Sequence, residues 1–129
     1  MLTELTPELW IGSWHGDRTL QRMGFKSVVN LCWKITTPMR THFPLHDSSR
    51  NDLEDLERGA ALVQGLIDVG KTPVLVHCQG GRSRSTTICA MVLSKQKGMS
   101  VVEAVQFIAQ KHPIAHPNPA LLATLGVID

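Results

Sequence analysis

The sequence lacks several features that would direct it to particular classes of protein. It contains no tyrosine, so it cannot be regulated by phosphorylation of its own tyrosines, and aromatic residues make up only 5% of the chain. Basic and acidic residues nearly balance, with 13 Lys+Arg against 11 Asp+Glu and a formal charge of +2. That excess is too small to predict nucleic-acid binding, so any positive potential must be local.

Long apolar runs and secretion signals are also absent from the sequence. No run approaches the roughly 20 apolar residues that a membrane span requires, and the first ten residues, MLTELTPELW, lack the basic and apolar parts of a secretory signal. The three cysteines are an odd number without repeat spacing, which is typical of reduced thiols rather than of a disulfide framework. We therefore expect a cytoplasmic protein without a membrane span.

The composition suits an ordinary globular domain. Hydrophobic residues account for 43% of the 129 positions and charged residues for 19%, and a chain of this length can bury one sizeable core. No internal repeat, low-complexity stretch or linker divides the sequence. We expect a single domain over residues 1–129.

The hydrophobic pattern alternates between short strands and helices. Apolar runs predict strands at residues 9–11, 27–32 and 74–76. Apolar spacing and capping residues predict helices at residues 17–23, 53–67, 84–97 and 100–111, and a short one after residue 119. Residues 33–46 are predicted as a loop with one edge strand. This order predicts an α/β fold, in which helices flank a small, mainly parallel central sheet.

The residues with the most distinctive chemistry lie in the segment VLVHCQGGRSRS, at positions 74–85. A predicted strand ends at His77 and Cys78, and ligands of open α/β sheets bind beyond the carboxyl ends of strands. Gly80 and Gly81 allow a tight turn that directs several N–H groups inward. Together with the start of the next helix, those groups predict a cradle for an anion, and its field favours a thiolate at Cys78.

Arg84 completes the pattern at six residues after Cys78. Its guanidinium can hold two oxygens of a phosphate at once. A thiol nucleophile at the floor of such a pocket suits attack on phosphorus through a phosphocysteine intermediate. A buried structural thiol would be the better interpretation of Cys78 if these neighbours were missing.

The segment HCQGGRSRS at 77–85 resembles the His-Cys-x5-Arg-Ser/Thr signature of protein tyrosine phosphatases. Its Gly81, Ser83, Arg84 and Ser85 are similar to the HCxxGxSRS loop of the dual-specificity branch. Three further segments, ELWIGSWHGD, KSVVNLC and HPNPALLATL, are similar to the first strand, the second strand and the entry to the last helix of that family. The resemblance implies the cysteine-phosphatase fold, with a phosphate-binding loop between a strand and a helix, and no metal or other cofactor.

The resemblance also implies a role for each residue of the loop. Cys78 would be the nucleophile and Arg84 the phosphate clamp, while the Ser85 hydroxyl would hydrogen-bond the thiolate and assist hydrolysis of the phosphoenzyme. His77 would order the loop, and Asn118 would support it from the last helix. The phosphate oxygens would bind to backbone amides of six residues: Gln79, Gly80, Gly81, Arg82, Ser83 and Arg84. The Arg82 side chain is either a solvated group or a substrate contact.

A leaving group needs a proton, which this family supplies from an aspartate on a separate loop. Asp47 lies 31 residues before Cys78, in the segment FPLHDSSRNDLEDL. We assign the acid role to Asp47 and the start of a helix to Asp52. After transfer of its proton, the Asp47 carboxylate would activate water. The alternative is that Asp47 is a turn residue beside Ser48.

The resemblance predicts a cysteine-dependent phosphomonoesterase for phosphotyrosine and phosphoserine or phosphothreonine. Its partner would be a phosphorylated protein or a small phosphomonoester. Because Arg82 adds positive charge within the loop, a phosphatase of a non-protein substrate stays open as an alternative: a phosphoinositide, phosphatidylglycerophosphate, a nucleotide or an RNA end. A non-catalytic phosphate-binding module is less favoured, because both Cys78 and Arg84 are present.

Other chemistries fit the sequence less well. A sulfurtransferase would not need Arg84 followed by Ser85, and an arsenate reductase would need a resolving thiol near its nucleophile. His112 and His116 have the spacing of metal ligands on a helix, but Pro113 lies between them, so no metal site is predicted.

Overall fold

The computed structural model describes residues 1–128, which fold around one five-stranded sheet. Its strands are β1 (Leu2–Thr6), β2 (Leu9–Gly12), β3 (Ser27–Asn30), β4 (Thr41–His42) and β5 (Val74–His77). Its helices are α1 (Asp17–Arg22), α2 (Leu53–Asp68), α3 (Arg84–Lys97), α4 (Val101–Lys111) and α5 (Pro119–Thr124). The predicted α/β fold with a mainly parallel sheet is confirmed.

The sheet places the strand that precedes the predicted phosphate-binding loop at its centre. The strand order is β1-β2-β5-β3-β4, in which β1 pairs antiparallel with β2 and the other pairs are parallel. His77 at the end of β5 lies in register with Gly12 on one side and Asn30 on the other. Three parallel strands therefore end at the same edge of the sheet, which is where such folds bind ligands.

Helices cover both faces of the sheet. The larger core packs α2, α3 and α4 against one face, and a smaller cluster on the other face includes Leu20 of α1. Buried residues of α2 recur at spacings of four, three and four, as one apolar helix face requires: Leu56, Ala60, Val63 and Ile67. None of the helices in residues 1–128 is long and apolar enough to cross a membrane.

One strand was missed by the sequence analysis. Residues 9–11 were predicted as the first strand, but they belong to β2, and β1 precedes them. Only Leu5 is buried in β1, whereas Glu4 is exposed, so the strand shows no clear apolar run. Such mixed polarity is expected of an antiparallel edge strand with one solvated face.

Candidate active site

The loop between β5 and α3 folds tightly against the end of β2. Gly81 has a φ of +69°, and a Cβ at this position would lie 2.8 Å from the Ser13 nitrogen and 2.9 Å from the Gly12 carbonyl carbon. Only glycine accommodates both the conformation and the contact. The Trp14 N–H also donates to the Gln79 carbonyl at 3.1 Å. The loop is therefore fixed on the sheet edge at two points.

Cys78 lies at the floor of this loop and is only 2% exposed. Its Sγ is 3.3 Å from the Oγ of Ser85, in the first turn of α3. Ser83 is the N-cap of α3, but its hydroxyl accepts no hydrogen bond from the helix N–H groups and instead donates to Asp47. The first N–H groups of α3 are thus left to bind an anion beside the thiol.

Arg84 is held beside a cavity of about 510 Å³. One terminal nitrogen of its guanidinium, Nη1, lies 3.4 Å from the Leu31 carbonyl and 3.2 Å from the Leu45 carbonyl. The other guanidinium N–H groups can bind a ligand, because arginine carries five of them in a planar fork. The cavity wall is formed by Arg84 with Trp14, Cys32, Trp33, Lys34, Ile35 and Gln79.

Asp47 is an exposed residue that the structure brings to the same loop. One of its carboxylate oxygens accepts a hydrogen bond from the Ser83 hydroxyl at 2.6 Å. Asn118 donates from its side-chain amide to the Asp47 carbonyl and from its backbone to Ser83 Oγ, both at 2.8 Å. Asn118 also caps α5 by accepting from the Ala120 N–H. The loop that carries Asp47, the loop between β5 and α3, and helix α5 are therefore joined by hydrogen bonds.

Arg82 has an exposed side chain on the outer side of the loop. It lines a second, open cavity of about 400 Å³, which also includes Asp47, Ser83, His116, Asn118 and Pro119. The Arg82 carbonyl accepts from the His116 N–H at 2.7 Å. Two other loop residues, Gln79 and Gly80, are also exposed. All residues assigned to the site thus lie on the loop or border it.

His112 is a structural support that the sequence analysis missed. It is buried at the end of α4, where its Nε2 donates to the Gly81 carbonyl and its Nδ1 accepts from the Thr3 hydroxyl, both at 2.7 Å. Burial lowers the pKa of His112, which keeps its ring neutral. The described residues 1–128 contain no group of three or more His, Cys, Asp or Glu side chains arranged to hold a metal ion.

His77 is buried and contacts a second unpredicted residue, Arg40. The Nη1 of Arg40 is 2.8 Å from His77 Nε2, and the same guanidinium forms an ion pair with Asp17 at 2.9 Å. Burial, followed by the charge of Arg40, lowers the pKa of His77 to about 4. Residues far apart in sequence therefore meet behind the loop.

Comparison with known proteins agrees with this geometry. The family model described as "Dual specificity phosphatase, catalytic domain" matches residues 9–128. The chain belongs to this family. Human dual specificity phosphatase 28 is 29% identical over 133 residues, which cover 96% of this chain and 75% of that protein. The crystal structure of human DUSP28 superposes with a TM-score of 0.82, at 28% identity, over 97% of this chain and 90% of that one.

Other members of the dual-specificity family are longer. Dual specificity protein phosphatase 1-B of Xenopus laevis is 32% identical over 95% of this chain, but the match covers only 35% of that protein. Human dual specificity protein phosphatase 4 is 29% identical, with 33% of its length covered. The chain is a cysteine-based phosphatase of this family, and these relatives are named as protein phosphatases. A lipid or nucleotide substrate is therefore not favoured.

Proposed function

We propose that the chain hydrolyses phosphotyrosine and phosphoserine or phosphothreonine in proteins through a phosphocysteine intermediate. The observation that carries this proposal is the position of Cys78, whose thiol lies against the Ser85 hydroxyl at the floor of a loop bordered by Arg84. Cys32, Cys78 and Cys89 are free thiols, so the chemistry suits a reducing compartment such as the cytoplasm.

In the first step, backbone amides of residues 79–84 and the guanidinium of Arg84 bind the phosphoryl oxygens. The Cys78 thiolate attacks phosphorus, so that a sulfur–phosphorus bond forms while the bond to the leaving oxygen breaks. Asp47 transfers its proton to that oxygen and becomes a carboxylate. Throughout this step, the N–H donors stabilise the negative charge on the phosphoryl oxygens.

In the second step, water attacks the phosphocysteine. The Asp47 carboxylate accepts a proton from the water while the bond between sulfur and phosphorus breaks. The Ser85 hydroxyl, 3.3 Å from Sγ, stabilises the departing thiolate by a hydrogen bond. Inorganic phosphate leaves, and both Cys78 and Asp47 return to their starting states.

The wall of the cavity beside Arg84 carries two large exposed apolar side chains. Trp33 and Ile35 are 50% and 53% exposed at its wall. Large exposed apolar side chains beside a catalytic pocket commonly bind substrate. Their loop is held in place, because the Asn30 side chain accepts from the Cys32 N–H at 2.9 Å and donates to the Ile35 carbonyl at 2.5 Å. We propose that this wall contacts residues that flank the phosphorylated one.

The first experiment is hydrolysis of a small aryl phosphate by the reduced chain with a metal chelator present. We expect turnover that survives the chelator and stops when Cys78 is alkylated by iodoacetate. Burial raises the pKa of Cys32 and of Cys89, so these thiols should react slowly, and peptide mapping will verify which cysteine is modified. Matched peptides with phosphotyrosine, phosphoserine or phosphothreonine then test specificity. No turnover by the reduced chain would instead favour a phosphate-binding module.

Asp47→Asn should produce a loss that depends on the leaving group. For phosphoserine peptides, whose alkoxide needs a proton, we expect kcat to fall about 100-fold. For an activated nitrophenyl phosphate, whose leaving group departs as an anion, the loss should be much smaller. Steady-state kinetics with both substrates measures the difference.

Asp52→Asn is the matched control for this test. It makes the same chemical change at the N-cap of α2, where asparagine serves as well as aspartate, and it should leave both rates unchanged. Equal losses on both substrates in Asp47→Asn would contradict the acid role.

A further inference from the structure

A fully buried arginine lies behind the phosphate-binding loop. The Arg40 side chain is 0% exposed, and its Nε and Nη2 donate to one carboxylate oxygen of Asp17 at 3.0 and 2.9 Å. Nη2 also donates to the His15 carbonyl, and the guanidinium carbon is 3.9 Å from the centre of the Trp14 ring. Nη1 is 2.8 Å from His77 Nε2. Arginine is rarely buried without such partners.

This contact determines the proton position on His77. A guanidinium can only donate hydrogen bonds, so Nε2 of His77 must accept. The ring proton then resides on Nδ1, which lies 3.4 Å from the Cys78 carbonyl. His77 is therefore neutral, and its imidazole faces the backbone of the nucleophile.

The Cys78 carbonyl belongs to the first peptide unit of the loop. In a planar trans peptide, the C=O and the N–H point in opposite directions. A carbonyl held toward His77 therefore directs the Gln79 N–H to the other side. The orientation of this peptide unit decides whether the Gln79 amide can join the anion cradle.

We propose that Arg40 is a positioning residue for the phosphate-binding loop: anchored by Asp17, it fixes His77 as the neutral tautomer that faces the Cys78 carbonyl. The effect of Arg40 on catalysis rests on the proposed phosphatase function, whereas the tautomer of His77 does not depend on it. The charged or titratable groups around the His77 ring are Arg40 with its partner Asp17, His15 on the loop between β2 and α1, and Cys78.

NMR of the His77 ring tests the tautomer without any need for turnover, because the nitrogen chemical shifts of Nδ1 and Nε2 identify the protonated nitrogen and their pH titration gives the pKa. In the native chain His77 should titrate near its pKa of about 4. Arg40→Met removes both the donor to Nε2 and the opposing charge, and should raise the pKa of His77 by about one unit, with burial still keeping it below the ordinary value. Arg40→Lys keeps a cation at this place and should keep the pKa low.

Kinetics and phosphate binding test the positioning role. Arg40→Met should lower kcat on an aryl phosphate about tenfold and weaken inhibition by inorganic phosphate, because the amide cradle is less ordered. Arg40→Lys should recover part of both. A purely structural role would lower Tm while the His77 titration and the inhibition by phosphate stay native.

Three results would overturn the proposal: an unchanged His77 titration in Arg40→Met, an unchanged kcat/KM in that variant, or no recovery in Arg40→Lys. If Arg40→Met does not fold, Asp17→Asn replaces it, since this variant keeps Arg40 but weakens its anchor. It should lower kcat several-fold, and a native kcat would overturn the proposal. If the native chain hydrolyses no phosphate ester, the proposed function fails, while the nitrogen chemical shifts of the His77 ring still decide the tautomer.

Discussion

Cys78→Ser is expected to lose at least about 10⁴-fold in turnover of an aryl phosphate, while it keeps its fold and still binds phosphate. An alcohol is barely ionised near neutral pH, so the variant needs a general base. Within residues 1–128, no base is hydrogen-bonded to the side chain at position 78, and Asp47 is assigned to the leaving group and the attacking water. The neighbouring groups are the Ser85 hydroxyl and backbone N–H donors, and the Nε2 lone pair of His77 is already occupied by Arg40.

Cys89→Ala is the matched control for this variant. Cys89 is fully buried in α3 and is not among the residues assigned to the site, so its removal should cost stability of about 1 kcal/mol and leave kcat near native. Rate measurements on both variants, with circular dichroism to verify folding, decide whether Cys78 is the nucleophile. Turnover by Cys78→Ser within tenfold of native would contradict the nucleophile assignment.

Arg84→Lys should cost about 10² to 10³-fold in kcat although the positive charge is kept. The native guanidinium is oriented by the Leu31 and Leu45 carbonyls while its remaining donors stay available for phosphate. A lysine ammonium has three donors around one point and cannot bind two oxygens in a planar fork. The loss should therefore appear in kcat and in the affinity for inorganic phosphate.

Arg58→Lys provides the control on the surface of α2. Arg58 pairs with Glu54 on an exposed helix face, and such pairs contribute little to stability. Its kinetic constants should match those of the native chain. An Arg84→Lys variant with native kcat and native phosphate affinity would show that the fork geometry is not used.

The loop and its flanking elements could be predicted because their signals are local. An apolar strand, two glycines and a helix start within twelve residues specify both the cradle and its place on the sheet edge. The supports of the loop carry no local signal. Arg40 meets His77 across 37 positions, and His112 meets Gly81 across 31. Only the folded chain brings these pairs together.

Trp33 shows a different limit of sequence reasoning. Its type alone does not distinguish a core residue from a loop anchor; in the structure the side chain is half exposed and stacks on His46, with ring centres 4.6 Å apart, next to Asp47. An exposed tryptophan cannot be distinguished from a buried one without its surroundings. Large apolar side chains prefer burial, but much apolar surface remains exposed in folded proteins, so the residue type alone does not predict burial.

The joining of Asp47, Ser83 and Asn118 has a consequence for the entropy of each catalytic cycle. Ordering a loop costs roughly 1–2 kcal/mol per backbone residue. Here the hydrogen bonds between these three residues order the loop that carries Asp47 as the chain folds. In the proposed mechanism, substrate therefore meets an acid that already stands beside the loop between β5 and α3, and the free energy of binding is not spent on ordering that segment at every turnover.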